Sequence, residues 1–319
     1  MRLPVPARVQ RDPEPKARDD KSPGTSAGRF SLGCPAVAYA GLVLAVISVS
    51  FSAIFIKLAA SPPLTIATNR MLASLLLLSA PTLLGGWWQL ARLRRPELVA
   101  IGVSGVCLAA HFGLWTVSLA YTSVASSVVF VSTHPVFVAL LEWLWLRQRA
   151  GRLAALGVVL TVVGSLVIGA SDLRLGGTAL LGDLLALAGA VAMVGYLLIG
   201  RRLRQRLGFL SYSTPVYLVA WVGLLAWTSA SGEDVRRFPP TDLVWFVALA
   251  VFATIGGHTV FNWALRHVPA SVVAATLVGE PVCSAALAWL LLGQAIGPLV
   301  ALGGAIILLG IYLAARGTA

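Results

Sequence analysis

Charge is scarce in this sequence. Only 11% of its 319 residues are charged and 58% are hydrophobic, with a mean hydropathy of +0.87. A soluble globular protein carries about 25% charged residues, so there is too little charge here to cover a surface that faces water. The composition excludes an ordinary soluble domain and favours a chain that is solvated by lipid.

Cysteine and the motifs of catalysis are also scarce. The three cysteines, Cys34, Cys107 and Cys283, are odd in number and far apart, which excludes a disulfide framework and the spacing of metal ligands. The sequence has no ATP-binding P-loop, no Ser/His/Asp arrangement and no loop long enough for a catalytic domain. We therefore expect no cofactor, no metal and no enzymatic activity.

Acidic residues are outnumbered two to one by basic ones, which gives a formal net charge of +12. In a soluble protein this excess would suggest a nucleic-acid partner. Here the basic residues lie between apolar runs, where they set topology and meet anionic headgroups. We expect the lipid bilayer as a partner, and no nucleic acid.

Long apolar runs account for most of the chain and predict an all-α integral membrane protein with ten transmembrane helices. Each run must be helical, because lipid cannot satisfy exposed backbone groups and no period-two alternation suggests a barrel. Residues 1–34 are polar and Pro-rich, and they are expected to form a disordered cytoplasmic tail. The ten runs are 36–58, 63–84, 98–119, 124–146, 153–170, 178–200, 212–230, 242–265, 271–292 and 298–315.

The distribution of lysine and arginine predicts the topology. With the N-terminus inside, 19 of the 24 basic residues fall in inside segments and 4 in outside segments, while Arg70 lies within a span. The positive-inside rule then places both termini in the cytoplasm of a multi-pass cell-membrane protein. An even number of spans is required.

The sequence contains an internal repeat. A shift of 146 residues places 118–168 on 264–314 without a gap, and 13 of the 23 positions between Pro135 and Gly157 are then identical. The matches include Pro135 with Pro281, Trp143 with Trp289, Gln148 with Gln294 and Gly157 with Gly303.

The repeat divides the chain into a first five-helix unit, 35–170, and a second, 171–319. Because five is odd, the second unit must cross the membrane in the opposite direction. Such inverted repeats are typical of secondary transporters.

Several segments resemble the EamA-type branch of the drug/metabolite transporter superfamily. They are 258–310, which contains "VGEPVCSAALAWLLLGQ", and the stretches 51–59, 67–78, 128–164 and 182–203. The resemblance implies two inverted five-helix halves around a cavity lined by spans one to four and six to nine. The family often has Glu where this chain has Gln148 and Gln294, which argues against an ionic role for these two positions.

Two candidate site residues precede the paired prolines. Glu280 lies near the middle of the ninth span, and Thr276 and Ser284, four residues to either side, share its helical face. His134 is its repeat mate in the fourth span. An ionisable group at this depth is costly and is usually functional. The alternatives are local pairing beside Pro281, or packing against neighbouring helices.

The other candidates for substrate binding lie in spans two, three and eight. Arg70 lies well inside the second span, where it would attract an anionic substrate or pair with Glu280. His258 with Asn262, and His111 with Trp115, are each four residues apart on a helix. Hydrogen bonding between helices and simple packing are the alternative roles.

Glycines recur every seven residues in spans five and ten. Gly157 and Gly164 match Gly303 and Gly310, and such small residues let helices approach closely. The stripe suits either contact between the halves or the interface of a homodimer.

Together these features predict a secondary transporter that exports amino acids or related small organic metabolites by alternating access. A drug, toxic-compound or nucleotide-sugar carrier of the same superfamily is the alternative. A membrane-embedded enzyme or receptor, or a narrow channel, represents a different class.

Overall fold

The computed structural model describes residues 35–137, 140, 151–174, 177–264, 276 and 279–317. Within these ranges the chain is helical and has no β-strand, as predicted. The helices are α1 (Pro35–Ser50), α2 (Ser52–Leu58), α3 (Pro63–Gly85), α4 (Trp87–Leu90), α5 (Arg95–Tyr121), α6 (Val124–Val131), α7 (Arg152–Arg174), α8 (Thr178–Leu203), α9 (Phe209–Ala230), α10 (Asp242–Ala248), the π-helix π1 (Leu249–Thr259), α11 (Val260–Ala264), α12 (Gly279–Leu292) and α13 (Pro298–Gly317).

The helix starts follow local sequence signals. α5 begins with a capping box, in which the Glu97 carboxylate accepts a hydrogen bond from the Arg94 N–H at 2.9 Å. The Ser123 hydroxyl accepts from the Ser126 N–H at 3.1 Å and caps α6. α3 begins at Pro63, where the missing N–H costs nothing.

The predicted count of ten transmembrane helices is only partly supported. Within the described residues, six helices are long and apolar enough to cross a membrane: Tyr39–Leu58, Pro63–Gly85, Arg95–Tyr121, Thr178–Leu203, Phe209–Ala230 and Asp242–Thr259. In the predicted spans four, five, nine and ten, the apolar helical stretches with described side chains are shorter than 18 residues: Val124–Phe137, Ala155–Ile168, Gly279–Leu292 and Pro298–Leu313. The multi-pass, all-helical character is therefore confirmed and the number ten is not.

α5 packs against both α8 and α9. Small residues let these helices approach closely. A methyl group at Gly105 would overlap the side chain of Val219 on α9, and one at Gly182 on α8 would lie 2.9 Å from the Ser118 carbonyl oxygen of α5. This packing fixes the position of the α5 side chains that form the candidate site.

The glycine stripe joins α7 to α13 within one chain. A methyl group at Gly164 would lie 2.6 Å from the Gly303 carbonyl oxygen, and one at Gly310 would lie 2.6 Å from the Gly157 carbonyl oxygen. Of the two expected uses of the stripe, contact between the halves is the one that is observed. A homodimer remains a prediction.

The fourth predicted span is interrupted before its proline. α6 ends at Val131, a turn follows at Ser132 and Thr133, and the chain is helical again over 134–137. Pro135 has no N–H to donate to the Val131 carbonyl. That carbonyl instead lies 3.3 Å from Nδ1 of His134. The run 124–146 was predicted as one span, and the structure has a turn within it.

The eighth predicted span changes its winding. It runs from α10 through the eleven-residue π1 into α11. The hydroxyls of Thr254 and Thr259 each donate at 3.2 Å to the carbonyl five residues earlier, which is the π-helical spacing. π-helical segments are rare and often occur at functional sites.

Hydrogen bonds link segments that were predicted to lie on the same side of the membrane. At the predicted outer end, Asp242 accepts from the Ala60 and Ser61 N–H groups, and Glu233 accepts from the Thr65 N–H at 2.9 Å. At the predicted inner end, the side chain of Gln89 accepts from the Gly208 N–H at 2.8 Å. Each of these contacts joins the first repeat to the second.

Candidate functional site

Arg70 of α3 is the largest charged side chain that is fully buried in the described part of the protein, with 1% of its surface exposed. Its Nε donates to the Thr254 hydroxyl at 3.2 Å and its Nη1 to the Ser52 hydroxyl at 3.3 Å. Its Nη2 is buried and has no hydrogen-bond partner. Neutral hydroxyls from α2 and π1 therefore hold the guanidinium and leave one donor group available.

No carboxylate among the described residues forms an ion pair with Arg70. Glu280 of α12 is close enough for an electrostatic interaction with it, but the two are not within the 4.0 Å of a salt bridge. A buried charge without a paired counter-ion is strongly unfavourable. The surroundings of Arg70 therefore favour an additional anionic group.

A wall of four rings lies beside Arg70, formed by Phe112, His258, His111 and Trp115. The guanidinium carbon lies 4.1 Å from the ring centroid of Phe112, which is a cation–π distance. The ring centroid of His258 lies 5.9 Å from that of Phe112, in an edge-on arrangement. On α5 the ring of His111 stacks with that of Trp115, which lies one helical turn further along, and the two ring centroids are 6.3 Å apart.

Two buried groups in this wall have defined hydrogen-bonding states. Nδ1 of His111 lies 3.0 Å from the Gly189 carbonyl of α8. In the neutral ring Nδ1 must therefore carry the proton, and Nε2 is left as an acceptor. Nε1 of Trp115 is buried without an acceptor. Because Trp115 Nε1 and Arg70 Nη2 are both unsatisfied donors, the wall suits a ligand that supplies acceptor atoms.

Glu280 and His134 also interact electrostatically with this group, and both are half-buried. The backbone carbonyl of Glu280 accepts from the Ser50 hydroxyl at 3.4 Å, and the Ser284 hydroxyl donates to the Ser50 carbonyl at 3.1 Å. These bonds fix α12 against α1. His134 interacts electrostatically with His111 and His258.

The family of this chain is identified by a match that covers both repeats. A model of the EamA-like transporter family matches this chain twice, over residues 36–170 and again over 180–316. The chain belongs to the EamA-like transporter family. The family resemblance and the internal repeat predicted from the sequence are both confirmed.

Relatives of this EamA-like chain are transporters of unassigned substrate. It is 24% identical over 217 residues to the uncharacterized transporter YwfM of Bacillus subtilis, covering 66% of this chain and 71% of that protein. It is 23% identical over 274 residues to an uncharacterized transporter of Archaeoglobus fulgidus, covering 84% and 94%.

A solved crystal structure shares the fold. It superposes with a TM-score of 0.62 at 18% identity, covering 88% of this chain and 98% of the other. This likeness shows the fold alone.

In this EamA-like protein, six of the eight predicted site residues lie in one group. They are linked by ring contacts or by electrostatic interaction: Arg70, His111, Trp115, His134, His258 and Glu280. Thr276 is helical and half-buried. Asn262 belongs to α11, and its side chain lies outside the described residues. Whether the group binds a substrate stays a prediction.

Three side chains of the group were missed in the sequence: Ser52, Phe112 and Thr254. Hydroxyls and aromatic rings are common in apolar spans, so their residue types gave no signal. The signal that existed was indirect. A buried guanidinium requires acceptors, and Ser52 and Thr254 supply them.

Proposed function

We propose that this protein is a secondary transporter that moves small organic metabolites bearing a carboxylate, such as amino acids, across the cytoplasmic membrane. Export is the proposed direction and alternating access the proposed mechanism. One observation carries the choice of substrate: Arg70 is fully buried, is held by neutral hydroxyls and retains a free Nη2 donor.

The substrate carboxylate would complete the hydrogen bonding of the Arg70 group. A guanidinium binds a carboxylate through two parallel N–H donors, and such charge-assisted bonds are short and strong. Trp115 Nε1 offers a further donor, and Phe112 and His258 offer apolar ring surface. Glu280, which interacts electrostatically with Arg70 without forming a salt bridge, suits a substrate ammonium group. The pair of charges therefore suits a molecule that carries both an acid and an amine.

The repeated architecture supports alternating access. The group takes Arg70, His111 and His134 from the first repeat and His258 and Glu280 from the second. A site between two repeats that rock against each other opens to each side in turn. The energy would come from an ion gradient or from exchange with a second metabolite.

The direct test is transport by the purified protein in liposomes. Labelled amino acids, other carboxylic acids, their carboxamide analogues and nucleotide sugars form the panel. We expect acids to be carried and the matched amides to be carried at least about tenfold more slowly, because a lost charged hydrogen bond costs about 1.5–3 kcal/mol. Recovery of a chemically altered compound would instead indicate an enzyme.

Variants of Arg70 connect the transport to the site. Arg70→Gln should lower uptake of acids at least about tenfold, and Arg70→Lys should restore part of it, since the charge returns without the planar fork. Arg236→Gln, in an exposed loop, is the matched control. Acid transport by a folded Arg70→Gln protein at the wild-type rate contradicts the proposal.

Glu280→Gln tests proton coupling separately. If the Glu280 carboxyl group exchanges a proton during transport, the wild-type rate should vary with pH, and the glutamine variant should give a flat profile, because an amide does not titrate in this range. The measurement is the initial rate of uptake at a series of pH values between about 5 and 8. A pH profile shared by both proteins excludes Glu280 as the proton-carrying group and leaves another titratable residue, a different ion or exchange as the energy source.

A further inference from the structure

A basic cavity lies at the predicted inner end of the protein, apart from the Arg70 group. Its volume is about 320 Å³, and its lining residues are Gln89, Arg92, Arg94, Glu97, Arg206 and Leu207. The first four belong to the α4–α5 segment of the first repeat, and the last two follow α8 in the second. The cavity therefore bridges the repeats.

The cavity carries an excess of positive charge. Three guanidinium groups face one carboxylate, that of Glu97. This carboxylate already accepts from the Arg94 N–H at 2.9 Å, and its other oxygen lies 3.9 Å from Arg206. Arg206 has 72% of its side chain exposed, so its contact with Glu97 is weak. The net charge and the exposed donors suit a phosphate group.

The surface beside the cavity has the profile of a membrane interface. Leu83 and Leu84, at the end of α3, are 68% and 87% exposed. Trp87 and Trp88 follow, exposed and with ring centroids 3.6 Å apart. The order from apolar leucines through tryptophans to Arg92 and Arg94 matches the order from hydrocarbon to headgroup in a bilayer.

We propose that this cavity binds the phosphate of an anionic phospholipid, with Arg92 and Arg94 of one repeat and Arg206 of the other around the headgroup. Basic pockets between transmembrane helices near the cytoplasmic face bind anionic headgroups in this way. A bound lipid would connect the two repeats at this end. The proposal does not depend on which substrate is transported.

Lipid binding can be measured by quenching of tryptophan fluorescence with brominated lipids in detergent micelles. Brominated phosphatidylglycerol should quench at lower concentration than brominated phosphatidylcholine. The chain has ten tryptophans, so a Trp87→Phe/Trp88→Phe protein identifies the signal of the cavity. That signal should be lost in the double variant.

Charge variants test the site. Arg92→Gln/Arg206→Gln should weaken phosphatidylglycerol binding by about fivefold for each arginine removed. Arg236→Gln/Arg237→Gln removes two exposed arginines in the loop at the other end and should leave binding unchanged. Melting temperatures check that each variant is folded.

Three results would overturn the proposal. The first is wild-type affinity in folded Arg92→Gln/Arg206→Gln, and the second is equal loss in the control pair. The third is displacement of the quenching by millimolar inorganic phosphate together with equal quenching by both brominated lipids, which would identify free phosphate as the ligand.

Discussion

The environment of Arg70 shows how a single buried charge can be kept available for a ligand. Its two engaged donors bind hydroxyls rather than carboxylates, so the protein holds the side chain in place without neutralising it. A salt bridge to Glu280 would have stabilised the empty protein and competed with any anionic ligand. In our proposal, Arg70 can bind an anionic substrate because it is not paired with Glu280.

Thr254 is expected to contribute to stability through Arg70. Its hydroxyl donates to the Leu249 carbonyl and accepts from Arg70 Nε. Thr254→Val removes that acceptor and leaves a second buried donor unsatisfied, at a cost of about 1–3 kcal/mol. We expect a melting temperature lower by several degrees, measured on the purified protein by intrinsic fluorescence.

Thr259→Val provides the matched control for this prediction. The Thr259 hydroxyl makes the same bond to the carbonyl five residues earlier, whereas the side-chain partners of Arg70 are Thr254 and Ser52. Its replacement should change the melting temperature less. Equal effects of the two substitutions would show that the π-helical hydroxyl bonds, and not the acceptor for Arg70, determine the result.

The sequence identified the charged residues of the group but did not identify the residues that bind to them. Arg70 and Glu280 stood out because an ionisable group in an apolar run is expensive. Ser52 and Thr254 did not, since a serine or threonine can satisfy itself on its own helix, as Ser74 does with the Arg70 carbonyl. Which hydroxyls meet a guanidinium depends on how helices pack, and one chain's residue types do not contain that information.

Helices α7 and α13 show how spacing in the sequence becomes a contact between elements. Glycines seven residues apart lie on one face of each helix, and the backbones approach there until carbonyl oxygens occupy the space of a side chain. The sequence predicted the close approach. It left the partner open, because the same stripe would serve a second copy of the chain equally well.

Gly164→Ala tests this contact. The added methyl group would lie 2.6 Å from the Gly303 carbonyl oxygen, and backbone at a helix interface cannot move away easily. Such overpacking costs about 1–3 kcal/mol, so the melting temperature should fall by several degrees. Gly102→Ala is the control, since Gly102 lies inside α5 with nothing within 4 Å of the added atom. A fall of equal size in both variants contradicts the assignment.

The sequence did not predict where a span departs from a regular α-helix. Residues 242–265 were predicted to form one apolar helix, yet eleven of them form π1. The run 124–146 also read as continuous, yet α6 ends at Val131. Hydropathy measures the length of an apolar run and does not measure whether the backbone hydrogen bonds continue through it. Six helices among the described residues are long and apolar enough to cross a membrane, and parts of the predicted spans four and nine lie outside those residues.

At the scale of the whole molecule, the repeat was the most informative feature of the sequence. Shared proline, tryptophan and glycine positions located both copies before any fold was known, and the two matches to one family agree with them. The orientation of the copies and the side on which each loop lies remain predictions from the distribution of arginines. How firmly the two copies are held together can be tested at the contacts between them.

Asp242 makes three hydrogen bonds with the α2–α3 connection at the predicted outer end. Asp242 is 1% exposed, and its two oxygens accept from the Ala60 N–H at 3.2 Å, from the Ser61 N–H at 2.8 Å and from the Ser61 hydroxyl. One carboxylate of the second repeat thus holds the four-residue connection 59–62 of the first. For alternating access, opening of this end requires that these bonds break.

Asp242→Asn should therefore loosen the outer end. The amide offers one acceptor oxygen where the carboxylate offers two, and a hydrogen bond to a charged group contributes about 1.5–3 kcal/mol. We expect hydrogen–deuterium exchange at the Ala60 and Ser61 amides to become at least about tenfold faster. Asp234→Asn is the control, because within the described ranges the Asp234 carboxylate accepts one hydrogen bond, from the nearby Arg236 N–H. Unchanged exchange in Asp242→Asn would mean that other contacts keep this end closed, and Asp242 would then have no part in gating.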